Sequence, residues 1–316
     1  MRVAVIGAGN WGRNLVRTFY NLGVLKAVAE ADLERCRKIS KEYPEVSVYN
    51  NYLDLLKSDI PAVAIATPAH THYKLALEAL QADKDVFVEK PLTLTASEAE
   101  ELTRFAENKG LILMVGHLLL YQPAIQHIKN CIESDIIGKV YNLHQERLKL
   151  GRVRSVENVL WSFGVHDLAV LLYLVGQQPE EIQVVGQCAI QPKIEDDVYL
   201  HMHFRDGVKA HLHTAWLWPE QQRRLTVVGS RGMLVYNELE QVVTLHRKGI
   251  APDLSNRDQG SEVLFRGSEE PLVLECEHFL NSVSARRLPL SDGRSATQVV
   301  RILEQAAQIL ERGGRK

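Results

Sequence analysis

Val3-Ala4-Val5-Ile6 runs into Gly7-Ala8-Gly9-Asn10-Trp11-Gly12, and the reading of the fold turns on this stretch. The apolar run reads as a strand and the glycine-spaced segment as the opening of a helix, the context that gives a G-x-G-x-x-G pattern its meaning. Gly7 permits a tight turn, Gly9 lets backbone N–H groups approach a pyrophosphate, and Gly12 lets the helix pack closely on the strand. The helix N-terminus adds partial positive charge where phosphates would sit. The segment predicts a dinucleotide cradle, with Asn10 and Trp11 as further contacts. An acid about 20 residues on, at the end of the second strand, is the usual acceptor for the adenosine ribose hydroxyls. Glu30, directly after Val28-Ala29, fills that place, with Asp32 as the alternative. A carboxylate there repels a 2′-phosphate, which favours NAD, while Arg35 and Arg37 further along leave NADP open.

Outward from this stretch, short apolar runs at 27–29, 46–48, 62–66, 86–88 and 111–115 alternate with helical patterns. Strands that are apolar throughout, with helices between them, predict a parallel sheet covered on both faces, a Rossmann-type doubly wound domain. After Tyr121 the texture changes. A helix of about twelve residues is followed from Lys139 by longer segments such as 198–204, 208–216, 224–228 and 242–246, with turn residues between them. Tyr199, His201 and His203 alternate with Leu200, Met202 and Phe204, the period of a sheet with one buried face. An apolar helix is expected at 164–174, a long polar surface loop at 248–266, and final helices over 271–285 and 295–311. The closing Gly313-Gly314-Arg315-Lys316 is expected to fray. The expected architecture is α/β, with residues 1–120 as the dinucleotide-binding domain. Residues 121–316 form an α+β domain for substrate binding and oligomerisation, on a mainly antiparallel open sheet.

Composition sets outer bounds. At roughly 150 residues per domain, 316 residues suggest about two domains. With 37 Lys plus Arg against 39 Asp plus Glu, the net charge of −2 gives no global attraction to nucleic acid or an anionic membrane. Cys36, Cys131, Cys188 and Cys276 stand far apart and form no CxxC pair, which argues for a reducing compartment. The longest apolar stretch, 168–175, is well short of the roughly 20 residues a membrane span needs. A cytoplasmic protein with a small-molecule substrate is expected.

Two further segments carry chemistry. Ala66-Thr67-Pro68-Ala69-His70-Thr71-His72 follows the fourth strand, and Val88-Glu89-Lys90-Pro91 follows the fifth. With the glycine fingerprint they resemble the Gfo/Idh/MocA family of oxidoreductases, in which a T-P-x-x-x-H loop borders the nicotinamide and an E-K-P tripeptide supplies an active-site lysine. Thr67, Pro68 and His72 match the first motif, and Glu89, Lys90 and Pro91 the second. Val115-Gly116-His117, residues 164–167 and residues 289–293 extend the likeness over essentially the whole chain. The resemblance implies a cis peptide before Pro91 and a cofactor site that includes Thr67, Pro68, His72, Glu89, Lys90 and His117. Residues 146–152 and 159–167 look most like a branch acting on nucleotide-linked sugars, including UDP-N-acetylglucosaminuronate 3-dehydrogenases of polysaccharide biosynthesis.

Oxidation of a sugar hydroxyl needs an acceptor for hydride and a group that meets the oxygen being oxidised. Lys90, at the carboxyl end of a parallel strand, can stabilise a developing alkoxide. His166 can take the proton, since histidine changes charge near neutrality. Many members of the family have Asp four residues before this histidine; here the position is Ser162, so Asp167 or a water must compensate, or His166 acts alone. Arg147, Arg152 and Arg154 flank Gly151 in an expected loop and suit a diphosphate. Tyr121 stands near the crossover, for sugar contact or for packing. Substrate contacts are thus expected from Lys90, Tyr121, Arg147, Arg152, Arg154, Ser162, His166 and Asp167. His201, His203, His211 and His213 share a face but lack a completing ligand, so no metal site is expected. The exposed sheet face predicts a homodimer or homotetramer. Two other functions stay open: a free-sugar or inositol dehydrogenase, and a nicotinamide-binding regulatory protein without turnover.

Overall fold

The computed structural model of the chain describes residues 1–313, so Gly314-Arg315-Lys316, expected to fray, lie outside the described residues. The chain packs as two units. The first holds strands β1 (Val3–Ile6), β2 (Leu25–Ala29), β3 (Ser47–Tyr49), β4 (Ala62–Ile65), β5 (Asp85–Glu89) and β6 (Leu113–Gly116). They pair in parallel in the order β3-β2-β1-β4-β5-β6, the order of a doubly wound dinucleotide fold. Every residue of β1, β4, β5 and β6 is buried, as strands covered on both faces must be.

Between these strands run α1 (Gly12–Asn21), α2 (Leu33–Glu42), α3 (Tyr52–Leu56), α4 (His72–Gln81) and α5 (Ala96–Lys109). Their ends follow local chemistry. Asp32 caps α2 by accepting from the Glu34 and Arg35 N–H groups, Thr95 caps α5 at Glu98, and Gly110 ends α5 at φ 64°.

The first unit is not one stretch of chain. Met1–Leu118 is joined by Glu270–Arg301, which carries the helix Pro271–Ala285 and the start of Gly293–Gly313. The expected division into 1–120 and 121–316 therefore differs from the packing. Long-range side-chain contacts, invisible to a local reading, bring the segment back. Arg286 pairs with buried Asp85 at 2.7 Å, Phe279 meets Phe87 edge-on at 5.8 Å, and Ser291 Oγ donates to Val115 O at 2.6 Å.

The second unit comprises Leu119–Glu269 and residues 302–313. After α6 (Pro123–Glu133) come β7 (Val140–Leu148), α7 (Val165–Val175), β8 (Glu181–Gln187), β9 (Asp197–His203) and β10 (Lys209–Ala215). Four further strands follow: β11 (Gln222–Gly229), β12 (Met233–Asn237), β13 (Val242–Ile250) and β14 (Asn256–Arg266). The two helices already placed are α8 (Pro271–Ala285) and α9 (Gly293–Gly313). One eight-stranded sheet runs β14-β13-β12-β11-β7-β10-β9-β8, antiparallel except for the β7–β10 pair. Val198, Leu200 and Met202 of β9 are fully buried, and Tyr199 is exposed on the other face.

Three expectations about this unit need correction. Residues 248–266 are not a loop: the end of β13 and all of β14 pair as a hairpin at the sheet edge. Most of β14 is exposed, so no apolar alternation marks it. The strands β8 and β12 were not anticipated; β8 has one buried residue, Val184. Helical structure also starts before Gly164, in a wide π-type turn over Leu160–Gly164 that leads directly into α7. Among the described residues no helix is long and apolar enough to cross a membrane.

Candidate active site

The glycine turn is built as its spacing predicts. At Gly7, φ is +90° and a Cβ would stand 2.8 Å from Ala66 O; at Gly12 a Cβ would stand 2.1 Å from Gly7 O. Over Gly9 a Cβ would meet only Arg35 Nη1, at 3.5 Å, which leaves room for a phosphate beside the N-terminus of α1. Glu30, buried at the end of β2, accepts from Ala8 N–H at 2.9 Å and from Asp32 N–H at 3.0 Å. The carboxylate is thereby fixed against the turn, while Asp32 is engaged as a helix cap, which favours Glu30 over the alternative. These features fit a dinucleotide. Arg35 lies 3.4 Å from both acids, so a cation also stands at this end of the cradle.

At the carboxyl end of β5, Lys90 is half-buried and its peptide bond to Pro91 is cis, as the resemblance implied. The preceding Glu89 is buried. Its Oε1 accepts from the Trp11 indole N–H, which ties the glycine turn to this strand, and its Oε2 lies 3.3 Å from the Lys90 N–H. Gly116, in register on β6, makes room for that carboxyl group: a Cβ there would stand 3.0 Å from Glu89 Oε2. Burial raises Glu89 to about 7, against the Trp11 bond and the Lys90 charge. His117 is buried beside this group, and neither ring nitrogen has a partner among the described residues. Burial and the Lys90 charge push it down to about 3, so its ring is neutral.

One residue of this cluster escaped the sequence reading. Glu275 of α8 is fully buried, and neither oxygen has a hydrogen-bond partner among the described residues. Burial and the nearby Glu89 charge raise it well above the ordinary carboxyl range. The signal was its spacing: Leu272, Glu275, Cys276 and Phe279 form the buried face of one helix, with an acid in place of an apolar residue. His72 also differs from expectation. Its ring is buried, with Nδ1 2.7 Å from Pro91 O and Nε2 2.9 Å from Thr67 O, so it binds loop backbone instead of facing outward to a cofactor.

In the second unit, His166 is half-buried in the first turn of α7, next to Asp167. Arg147 requires correction, because it lies in β7 and not in a loop, and its guanidinium is occupied. Its Nε donates to Asp167 Oδ2 at 2.6 Å and its Nη2 to Glu238 Oε2 at 2.6 Å. Arg223 completes the cluster at 2.9 Å from Glu238, and Gln145 donates to Asp167 at 2.8 Å. Two cations, the buried Arg147 and the half-buried Arg223, balance Asp167 and Glu238. Burial raises Asp167 despite Arg147; burial is overruled at Glu238, which Arg147 and Arg223 hold below its ordinary range. Arg147 and Asp167 are thus committed to each other and are poor candidates for substrate contact. Ser162, in the π-type turn, accepts from the fully buried Trp216 indole at 3.2 Å. Tyr121 is buried. Arg152 and Arg154 are exposed in the segment after β7; Arg154 lies 3.7 Å from Glu157. Exposed Leu150, Val153 and Val156 accompany them.

A glycine cradle, an acid fixed at the end of the second strand and a lysine at a strand end fit an oxidoreductase with an NAD-binding Rossmann fold. Residues 1–117 match the model of that description for the Gfo/Idh/MocA family, and residues 125–235 match the model of the family's C-terminal domain. The chain belongs to the Gfo/Idh/MocA oxidoreductase family. It is 28% identical to UDP-N-acetylglucosamine 3-dehydrogenase of Acidithiobacillus ferrooxidans, over 95% of this chain and 94% of the relative. A solved structure of that enzyme matches with TM-score 0.88 over 98% of each chain. The scyllo-inositol 2-dehydrogenase (NAD(+)) of Bacillus subtilis is 25% identical over 94% of this chain and 90% of its own. A levoglucosan dehydrogenase structure, at 18% identity, TM-score 0.84 and 98% coverage of both chains, shares the fold.

Proposed function

We propose that this protein is an NAD-dependent dehydrogenase of a nucleotide-linked sugar, of the UDP-N-acetyl hexose or uronate type. The observation that carries the reading is the placement of Lys90. It follows Glu89, which the Trp11 indole binds from within the dinucleotide turn, so the lysine stands beside the cradle. The full-length likeness to a UDP-sugar dehydrogenase supports the substrate class.

Gly7, Gly9, Gly12 and Glu30 would hold NAD, with Thr67 and Pro68 as further contacts, and the bound cofactor would supply the hydride acceptor. Lys90 Nζ lowers the pKa of the substrate hydroxyl and holds the oxygen as it loses its proton. His166 accepts that proton. The Ser162 hydroxyl accepts a hydrogen bond from Trp216 and offers no anion at that position. Arg152 and Arg154 recognise the diphosphate. The test is binding of UDP-N-acetylglucosamine to Arg152→Ala and Arg154→Ala proteins: a loss of roughly tenfold in each, with NAD affinity unchanged, is expected.

A second reading has its own observation, the full-length likeness to an inositol dehydrogenase. It predicts turnover of inositol and indifference to both arginine substitutions. We further propose a homodimer or homotetramer formed through the sheet face that carries Tyr199, His201, His211 and His144. Sedimentation of Tyr199→Glu against the unchanged protein tests it.

A further inference from the structure

His72 opens α4 with its ring 1% exposed, and its two nitrogens point at two peptide carbonyl oxygens, Pro91 O at 2.7 Å and Thr67 O at 2.9 Å. A carbonyl oxygen has lone pairs and no hydrogen to give, so each of these contacts needs an N–H from the ring. Neutral imidazole carries one N–H; only imidazolium carries two. Thr67 stands at the start of the segment after β4, and Pro91 follows the lysine after β5. A single ring therefore holds two loops by their backbones.

We propose, building on the function given above, that His72 is a positioning residue that clamps the Thr67 and Lys90-Pro91 loops together, and that the clamp is complete only when its ring carries both protons. Opposing forces act on that ring. Burial, the Lys90 charge and the His70 charge favour the neutral form, the two carbonyls favour the charged one, and the balance lies below the ordinary value of 6.5. On α5, which packs against α4, Glu98 and Glu101 bear on Tyr73, and on α4 itself Glu78 accepts from Tyr52. The clamp is whole on the acid side and releases one loop as pH rises.

Nitrogen-15 NMR of the full chain, labelled at histidine and saturated with NAD, reads the ring directly. The expected spectrum contains one histidine, missing from His72→Gln, that carries two N–H protons at low pH and one at high pH. Hydrogen exchange in residues 67–71 and 90–95, corrected for its intrinsic pH dependence, is expected to speed up across the same transition. His72→Gln offers two N–H bonds on one amide nitrogen and does not titrate, so its loop exchange stays constant. His72→Leu removes both donors, and exchange in both loops rises roughly tenfold. If His72→Leu fails to fold, the ring spectrum and the glutamine variant still decide. A ring that keeps one proton at every pH, or loop exchange in the glutamine variant that titrates like the unchanged protein, overturns the proposal. These readouts need no sugar, so failure to oxidise any substrate counts against the proposed function and leaves the clamp to be judged separately.

Discussion

Lys90 and the carboxyl groups near it cluster in the first unit, and the role proposed for each leads to a measurable consequence. In the proposed mechanism Lys90 holds the developing alkoxide, so replacing it with alanine is expected to lower kcat by about 10²–10³-fold. NAD binding persists, because the glycine cradle lies on other residues; unchanged turnover in that variant removes Lys90 from the mechanism. Glu89 is raised to about 7 by burial, so as pH falls through that value it takes up a proton and Lys90 loses its anion. Glu89 is expected to contribute a step near 7 to the acid limb of the kcat/KM profile, and Glu89→Gln should lose that step and keep the limb that belongs to the proton acceptor His166. Glu275 binds its proton more tightly in the folded protein than in the unfolded chain. Stability therefore declines as pH rises above the ordinary value of 4.5 towards the folded one, and Glu275→Gln escapes the decline. Equal gaps between the two melting temperatures at acid and alkaline pH would contradict this. At the other end of the cradle, Glu30→Ala is expected to erode the preference for NAD over NADP. The tight glycine turn and the places of Glu30 and Lys90 at strand ends were legible because their determinants are neighbours in sequence. Glu275 was not, because its meaning depends on Glu89, a residue far away in the chain. For His72 the motif was visible but the direction of the ring was not.

Between β7 and α7 the link is electrostatic and buried. Arg147 is the hub, bound to Asp167 in the first turn of α7 and to Glu238 just beyond β12. Removing it leaves the fully buried Asp167 without a cation, while Glu238 keeps Arg223, so Arg147→Ala is expected to cost about 3–5 kcal/mol in denaturant unfolding. The exposed Arg152→Ala should cost under about 0.5 kcal/mol. Equal, small losses in both would show that the Arg147 cluster does not anchor α7, and with it the placement of His166. Sequence reading grouped these arginines because they lie close in the chain around Gly151. Strand β7 continues through Leu148, which turns Arg147 inward, while Arg152 and Arg154 lie past its end. The edge hairpin β13–β14 was misread for a related reason. An edge strand exposed on most of its length has no buried face to impose alternation, and its polar composition imitates a loop.

Across the whole molecule the doubly wound and open-sheet architectures were both legible from periodicity, whereas the return of Glu270–Arg301 to the first unit was not. Periodicity locates helices but says nothing of which sheet they cover; Arg286 with Asp85 and Phe279 with Phe87 make that choice. One consequence is that truncating the chain near residue 120 exposes the surface that α8 covers and removes Glu275. An isolated 1–120 fragment is therefore expected to be less soluble and less stable than one carrying the 270–301 segment, as circular dichroism melts would show. The central claim is catalytic, and single-turnover reduction of NAD tests it most directly. Protein loaded with NAD is mixed with UDP-N-acetylglucosamine, its uronate, free hexoses and inositols, and the nicotinamide absorbance is followed. This format detects hydride transfer even where the reduced cofactor stays bound. A rise with the UDP-linked sugars, absent in Lys90→Ala, is expected. No rise with any sugar, while NAD remains bound, would contradict it.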